Sequence, residues 1–221
     1  MLVLAVDTAT PAITAGVVAL DGAPRVLAER VTVDAKAHGE LLTPHVLGAL
    51  DAAGATLSEV DALVCGVGPG PFTGLRAGMV TAAALGHALD VPVYPVCSLD
   101  AIAAEAGGDL LVITDARRRE VYWAGYDGAG RRVAGPEVER PAELAERLPE
   151  LGMSRAAGFG ARVYADVLGL AVLEPEHPTP AGLVAVAGDA LRSGAPAGPL
   201  TPLYLRRPDA VVPGARKRVL R

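Results

Sequence analysis

The chain carries the same opening twice. Leu2 to Val6 is an apolar run stopped by Asp7, Thr14 to Leu20 is a second closed by Asp21-Gly22, and Arg25 to Val33 is a third. In the third, Val26, Ala28, Arg30 and Thr32 alternate against Leu27, Glu29, Val31 and Val33. Further on, Asp109 to Thr114 is stopped by Asp115, Val121 to Tyr126 is closed by Asp127-Gly128, and Arg131 to Ala134 begins another segment. Short apolar runs and period-two alternation predict strands, and Asp-Gly between two of them predicts a hairpin. The leading aspartates stand 108 residues apart, a period too long for a solenoid repeat and suited to a duplicated domain. Two lobes are expected, 1–106 and a shorter 107–221.

Helical patterns fill the rest of each half. Over Glu40 to Ala53, Leu42, Val46, Leu50 and Ala53 fall on one stripe, with Gly54 as a C-terminal stop. Ser98 is placed to cap a helix over Leu99 to Ala106. Pro141 to Leu148, Ala161 to Leu168 and Pro180 to Ser193 complete the set. Strands interleaved with helices make each lobe an α/β layered unit, a mixed sheet with packed helices.

Between a strand pattern at Asp61 to Val67 and a helix pattern at Phe72 to Leu89 lies Val67-Gly68-Pro69-Gly70-Pro71-Phe72-Thr73-Gly74-Leu75-Arg76. Two glycines and two prolines make a stiff strand-to-helix turn, and Pro71 suits the first helical position, where a missing N–H costs nothing. Beyond it Gly74, Gly78, Ala82 and Gly86 share one helix face. Helix-interior glycines cost about 1 kcal/mol each relative to alanine, so close approach of another backbone is expected there. On spacing alone, that face packs either on the chain's own sheet or on a partner. Leu75 and Met79 flank it.

Composition excludes several classes. The chain is 51% hydrophobic and 20% charged, which supports a core and excludes disorder. A net charge of −5 argues against an autonomous nucleic-acid-binding protein. The N-terminal apolar run has no basic flank and ends at Asp7, and no apolar stretch reaches the roughly 18 residues of a membrane span. Cys65 and Cys97 lack metal-type spacing and are expected to be reduced, half-buried thiols of a cytoplasmic protein.

A duplicated lobe that opens strand-Asp-hairpin resembles the superfamily of actin, sugar kinases and Hsp70-type ATPases, whose ribonuclease H-like lobes face one another across a nucleotide cleft. In that template each hairpin offers an aspartate and a phosphate-cradling turn. Here Asp7 is followed by Thr8-Ala9-Thr10-Pro11-Ala12, without glycine, and Asp115 by Ala116-Arg117-Arg118-Arg119-Glu120. At most a residual nucleotide cleft at Asp7, Thr8 and Asp115 is expected.

A narrower resemblance runs the length of the chain. Leu4 to Thr10, Ala37-His38-Gly39-Glu40-Leu41-Leu42, the Gly68 to Arg76 block, Asp115 to Tyr122 and Pro202-Leu203-Tyr204-Leu205-Arg206 fall in the order of the bacterial TsaB (YeaZ) family. Pro71 departs from that pattern, which usually has serine there. The resemblance implies a non-catalytic subunit in making threonylcarbamoyladenosine beside the tRNA anticodon, with a larger paralogue as transferase and a small ATPase as third member. It implies docking on the paralogue through the first two helices, which would place Leu42, Val46, Leu50, Gly74, Leu75, Gly78, Met79, Ala82 and Gly86 at the interface. No resident cofactor is implied, and ATP would bind only at an interface shared with the complex. A homodimer of the free chain through the same helices is left open, and tRNA would be met only through the complex.

Other candidates weigh less. His38 and His45 are seven apart and have no nearby third ligand, so no metal is expected. Arg117-Arg118-Arg119 is either a solvated hairpin turn or a contact to RNA phosphate, and the basic tail Arg206 to Arg221 is either a nucleic-acid arm or a frayed end. A small kinase or ATPase of the superfamily is the alternative enzyme. A metallopeptidase is disfavoured, because no His-Glu-x-x-His motif is present.

Overall fold

The computed structural model describes residues 1–206. The basic tail beyond Arg206 lies outside the described residues. The first sheet comprises β1 (Leu2–Asp7), β2 (Ala12–Leu20), β3 (Pro24–Val33), β4 (Ala62–Gly66) and β5 (Val93–Val96), in the order β3-β2-β1-β4-β5. The second comprises β6 (Leu110–Asp115), β7 (Val121–Tyr126), β8 (Arg132–Glu139), β9 (Arg155–Ala157) and β10 (Ala171–Leu173), in the order β10-β9-β6-β7-β8. In each, the leading strand pairs antiparallel with the hairpin strand after it and parallel with the fourth strand. The duplication is therefore a duplication of topology: both lobes read 3-2-1-4-5, the α/β arrangement expected for an actin-like fold. The second lobe is reduced, since β9 and β10 have 3 residues each.

Helices cover both faces of both sheets, which is why the central strands are almost continuously apolar. On one face of the first sheet α1 (His38–Ala53) and α2 (Phe72–Leu89) lie side by side. Their inner stripes join Leu4, Val6, Ile13 and Leu63 in one core. The other face holds α7 (Pro180–Ser193), whose Leu183, Val184, Ala187 and Leu191 pack on Val3, Ala5 and Val64. The second sheet carries α3 (Ser98–Ala106) on one face. Its other face carries α4 (Pro141–Leu151), α5 (Phe159–Val163) and α6 (Ala165–Leu168). Full burial of a leucine or valine is worth roughly 1.5–3 kcal/mol, so these four clusters carry the stability.

The expected lobe boundary at residue 106 does not follow the packing. α3, N-terminal to it, packs on the second sheet, while α7, far beyond it, returns to the first, and α3 and α7 pack on each other. Apolar stripes on both helices have no room elsewhere, so the chain crosses between lobes twice. Smaller expectations also shift. The helix expected over Ala161 to Leu168 is two short helices meeting at Tyr164. Pro71 takes the N-cap position of α2 with ψ 132°, one residue before the first helical turn. Gly54 ends α1 in the left-handed region (φ 66°), as its position predicts.

Candidate functional site

The turn after β4 and the turn after β1 are one interlocked unit. Thr8 Oγ donates to the Gly74 carbonyl (2.7 Å), and the Gly78 amide donates to Thr8 Oγ (3.0 Å). Those two backbone groups are four apart in α2, so the hydroxyl is spliced between partners that an i→i−4 helical bond would join. The small residues make room for it. A Cβ on Gly78 would overlap Thr8 Oγ, and one on Gly74 would stand 3.0 Å from the Thr8 carbonyl oxygen.

Asp7 is sealed beneath this turn. It is 0% exposed. Ser98 Oγ donates to its Oδ2 (2.5 Å) and the Ala9 amide to its Oδ1 (2.9 Å). The Gly68 amide donates in turn to Ser98 Oγ (3.2 Å). Ser98 thus opens α3 as its first residue and does not cap it, because its hydroxyl is committed to Asp7. Burial pushes the Asp7 carboxyl up to about 6, against the lowering effects of the Ser98 and Ala9 hydrogen bonds and of His38. Burial likewise pushes the neighbouring Cys65 thiol up, with the Asp7 charge adding to it. Both cysteines are free and buried, not half-buried.

Asp115, the second leading aspartate, stays at the surface, with 23% of its side chain in solvent. Its Oδ1 accepts from the Arg117 amide (3.2 Å) and its Oδ2 lies 4.0 Å from Arg117 Nε. Arg117, Arg118 and Arg119 all have left-handed backbone, φ 62°, 55° and 62°. Arg206 pairs with Glu120 beside them and bonds the Arg117 carbonyl. Of the three residues expected at a cleft, Asp7 is buried and hydrogen-bonded inside the β1–α2 knot, Thr8 bonds α2, and Asp115 holds its own turn.

What opens between the lobes is a cavity of about 570 Å³ one layer further out, lined by Gly70, Pro71 and Phe72 of the first lobe, Arg117 and Tyr122 of the second, and Tyr204. Phe72 and Tyr204 stack (5.4 Å, 20°), Arg76 lies 3.7 Å from the Phe72 ring centre, and Arg76 Nε donates to Tyr204 Oη (2.7 Å). A smaller cavity of about 260 Å³ adjoins, lined by Thr8, Thr10, His38 and Phe72 of the first lobe and Arg117 of the second.

The nine residues expected at a partner interface are all buried within the chain. Leu42, Val46 and Leu50 sit in the core under α1, and Leu75, Met79 and Ala82 in the core under α2. Gly74 and Gly78 face Thr8, and a Cβ on Gly86 would overlap Val93 of β5. The small-residue face thus serves close approach to the chain's own turn and sheet. The surface that α1 and α2 turn outward is a different one, with Leu47 52% and Val80 66% exposed, beside Thr43, Ala83, Ala84 and Ala88. His38 Nε2 bonds the Thr10 carbonyl and His45 Nε2 the Thr32 hydroxyl, both at 2.9 Å. Among the described residues no cluster of three metal-ligating side chains occurs, and no helix is long and apolar enough to cross a membrane.

Comparison with known proteins fits this geometry. The family model described as TsaD, tRNA N6-adenosine threonylcarbamoyltransferase, matches residues 25–167. The tRNA threonylcarbamoyladenosine biosynthesis protein TsaB of Escherichia coli is 33% identical over 179 residues, covering 76% of this chain and 75% of that one. The chain belongs to the TsaB (YeaZ) family. A relative in Mycobacterium tuberculosis is 57% identical over 208 residues, covering 94% of this chain and 93% of its own length. The solved YeaZ of Pseudomonas aeruginosa superposes with a TM-score of 0.77 at 30% identity, covering 92% of this chain and 99% of that one. A Listeria monocytogenes protein described as an N-acetylmannosamine kinase shares the fold at 12% identity (TM-score 0.50, 88% of this chain, 100% of that one).

Proposed function

We propose that this TsaB-family chain is a non-catalytic subunit in tRNA threonylcarbamoyladenosine biosynthesis, docking on and activating the paralogous threonylcarbamoyl transferase, with a small ATPase as the third member of a cytoplasmic assembly. The observation that carries it is the outward face of α1 and α2. A surface helix usually turns charged residues to solvent. Here the outward stripe holds Leu47, Val80, Ala83 and Ala84, with the exposed Glu40, Asp51, Arg76 and His87 at its ends, an apolar centre with a polar rim as an interface has. A paralogue of the same fold presents the equivalent two helices, so the occupant is a helix pair. Sealing of Asp7 supports the non-catalytic part of the reading, since the carboxylate that would face a nucleotide is hydrogen-bonded inside the fold. It also weighs against the kinase or ATPase alternative.

The test is light scattering after size exclusion on this chain mixed with the transferase paralogue from the same organism, for wild type and Val80→Arg. A one-to-one complex is expected, weakened about a hundredfold by Val80→Arg, because an unpaired charge would be buried at the centre of the contact. Gly39→Ala, at an open and exposed position, should leave binding unchanged. An intact Val80→Arg complex would move the interface elsewhere. If the free chain forms a homodimer, the same variant should render it monomeric.

A further inference from the structure

Exposed aromatic rings and a surplus of positive charge meet at the larger cavity. Of the chain's two phenylalanines, five tyrosines and one tryptophan, only Phe72 and Tyr204 are exposed, and they stack on each other in its wall. Arg76, Arg117, Arg118 and Arg206 line it, and no carboxylate among the described residues does. Asp115 and Glu120 stand beside the lining on Arg117 and Arg206, two carboxylates against four guanidiniums. Arg76 adds to the surplus, because its partners, Tyr204 Oη and the Phe72 ring, hold it without neutralising it. The chain as a whole carries a net charge of −5, so this is a basic spot on an acidic molecule. Its volume of about 570 Å³ suits a short stretch of chain better than a single ion.

Arginine beside tyrosine and phenylalanine is the composition of protein-interface hot spots, and guanidinium takes carboxylate in a planar, two-pronged geometry. The sequence after Arg206 carries Arg207, Arg216, Lys217, Arg218 and Arg221 against one acidic residue, Asp209. That run would meet like charge in the cavity, and it favours an acidic visitor. We propose that the cavity docks a short acidic segment of a partner protein, its carboxylates on Arg76, Arg117 and Arg206 and an apolar side chain against Phe72 and Tyr204. Such a segment needs only the basic spot, whereas a longer polyanion such as RNA would run on to the acidic remainder of the surface. The proposal does not rest on docking through α1 and α2 and is tested on the chain alone.

Calorimetric titration of the full chain tests it with three probes: the hexapeptide Asp-Glu-Leu-Asp-Glu-Phe blocked at both ends, its Asn-Gln-Leu-Asn-Gln-Phe analogue, and a single-stranded RNA hexamer. Saturable binding of the acidic peptide is expected, at least about tenfold tighter than the amide analogue and weakened by added salt. Arg76→Gln and Tyr204→Ala should each weaken it about fivefold or more. Arg25→Gln removes the same charge at an exposed position of β3 and should leave binding unchanged. Amide shifts on titration of the wild-type chain should centre on Gly70, Ala116 and Leu205, which line the cavity, and they carry the test if a variant fails to fold. No saturation at millimolar peptide, equal binding of the amide analogue, an equal loss from Arg25→Gln, or shifts centred elsewhere would each overturn the proposal. Tighter binding of the RNA hexamer than of the acidic peptide would overturn it too and give the cavity to nucleic acid.

Discussion

Asp7 and Asp115 close the same strand of the same 3-2-1-4-5 sheet, yet the first is wholly buried and the second keeps 23% of its side chain in solvent. The difference lies in the turn residues that leave each strand. After Asp7 come small residues, Thr8-Ala9-Thr10, none with positive φ. They let the turn slide beneath α2, where glycines at 74 and 78 leave space for it. After Asp115 and the buried Ala116 come three arginines and a glutamate, too bulky and too charged to bury. That hairpin therefore stays out, adopts strained backbone, and lines the inter-lobe cavity with guanidinium. Duplication copied the scaffold, and turn composition then gave one copy a structural role and left the other at the surface.

The sharpest way to break this contrast is to fill the space under α2. Gly78→Leu forces a side chain into Thr8 Oγ and the β1 turn, with no solvent to escape into. A loss of about 3 kcal/mol or more is expected, at the upper end for overpacking. Were the glycine face exposed instead, the same side chain would block a partner and leave the fold intact. A variant that melts like wild type in urea but fails to bind the transferase would restore that view.

Next in size is the ionisation of Asp7. Its carboxyl is raised by burial from 3.8 to about 6, so the folded chain holds that proton more tightly than the unfolded one. The stability from this group is complete below about pH 3.8 and is lost as pH rises through 6, roughly 3 kcal/mol in all. Exposed carboxylates slope the other way at low pH, so the comparison is with Asp7→Asn, which keeps the shape and cannot ionise. Urea unfolding at pH 4 and pH 7.5 should show wild type losing stability relative to Asp7→Asn across that window. Parallel curves for the two proteins would mean that Asp7 is solvated in the folded chain.

Much of this architecture is legible in the residues, and the rest is hidden for physical reasons. The leading strands, the hairpins and the long helices carry their own periodicity, so the duplicated α/β fold follows from local pattern. The glycines of α2 announce a close approach, but spacing does not say to what. The answer is a hydroxyl 66 residues earlier in the chain. The inward stripes of α1 and α2 are likewise visible, while period alone does not warrant their assignment to a partner: the largest apolar residues on a helix beside a sheet belong to that sheet. Strands of three residues, β9 and β10, are too short to carry a pattern. The return of α7 to the first sheet and the cavity shared by residues near 70, 117 and 204 depend on contacts among distant segments, which no window of sequence contains.

The smallest expected effect separates strain from contact at the second hairpin. Arg119 sits at φ 62° and, unlike Arg117 and Arg118, does not line the larger cavity. A left-handed non-glycine residue costs about 1–2 kcal/mol, and glycine removes most of that at a smaller entropic cost. Arg119→Gly should therefore raise the melting temperature, by about 2–4 °C for a chain of this size. At the first hairpin the sign should reverse. Ala9→Gly meets no positive φ to relieve, gives the unfolded chain more freedom, and removes a buried methyl, so a loss of about 1–2 kcal/mol is expected. Opposite signs at the two turns would show that one hairpin is held by packing and the other against its own backbone preference. A destabilised Arg119→Gly would instead mean that the arginine side chain, through contacts of its own, is what holds the second turn in its left-handed form.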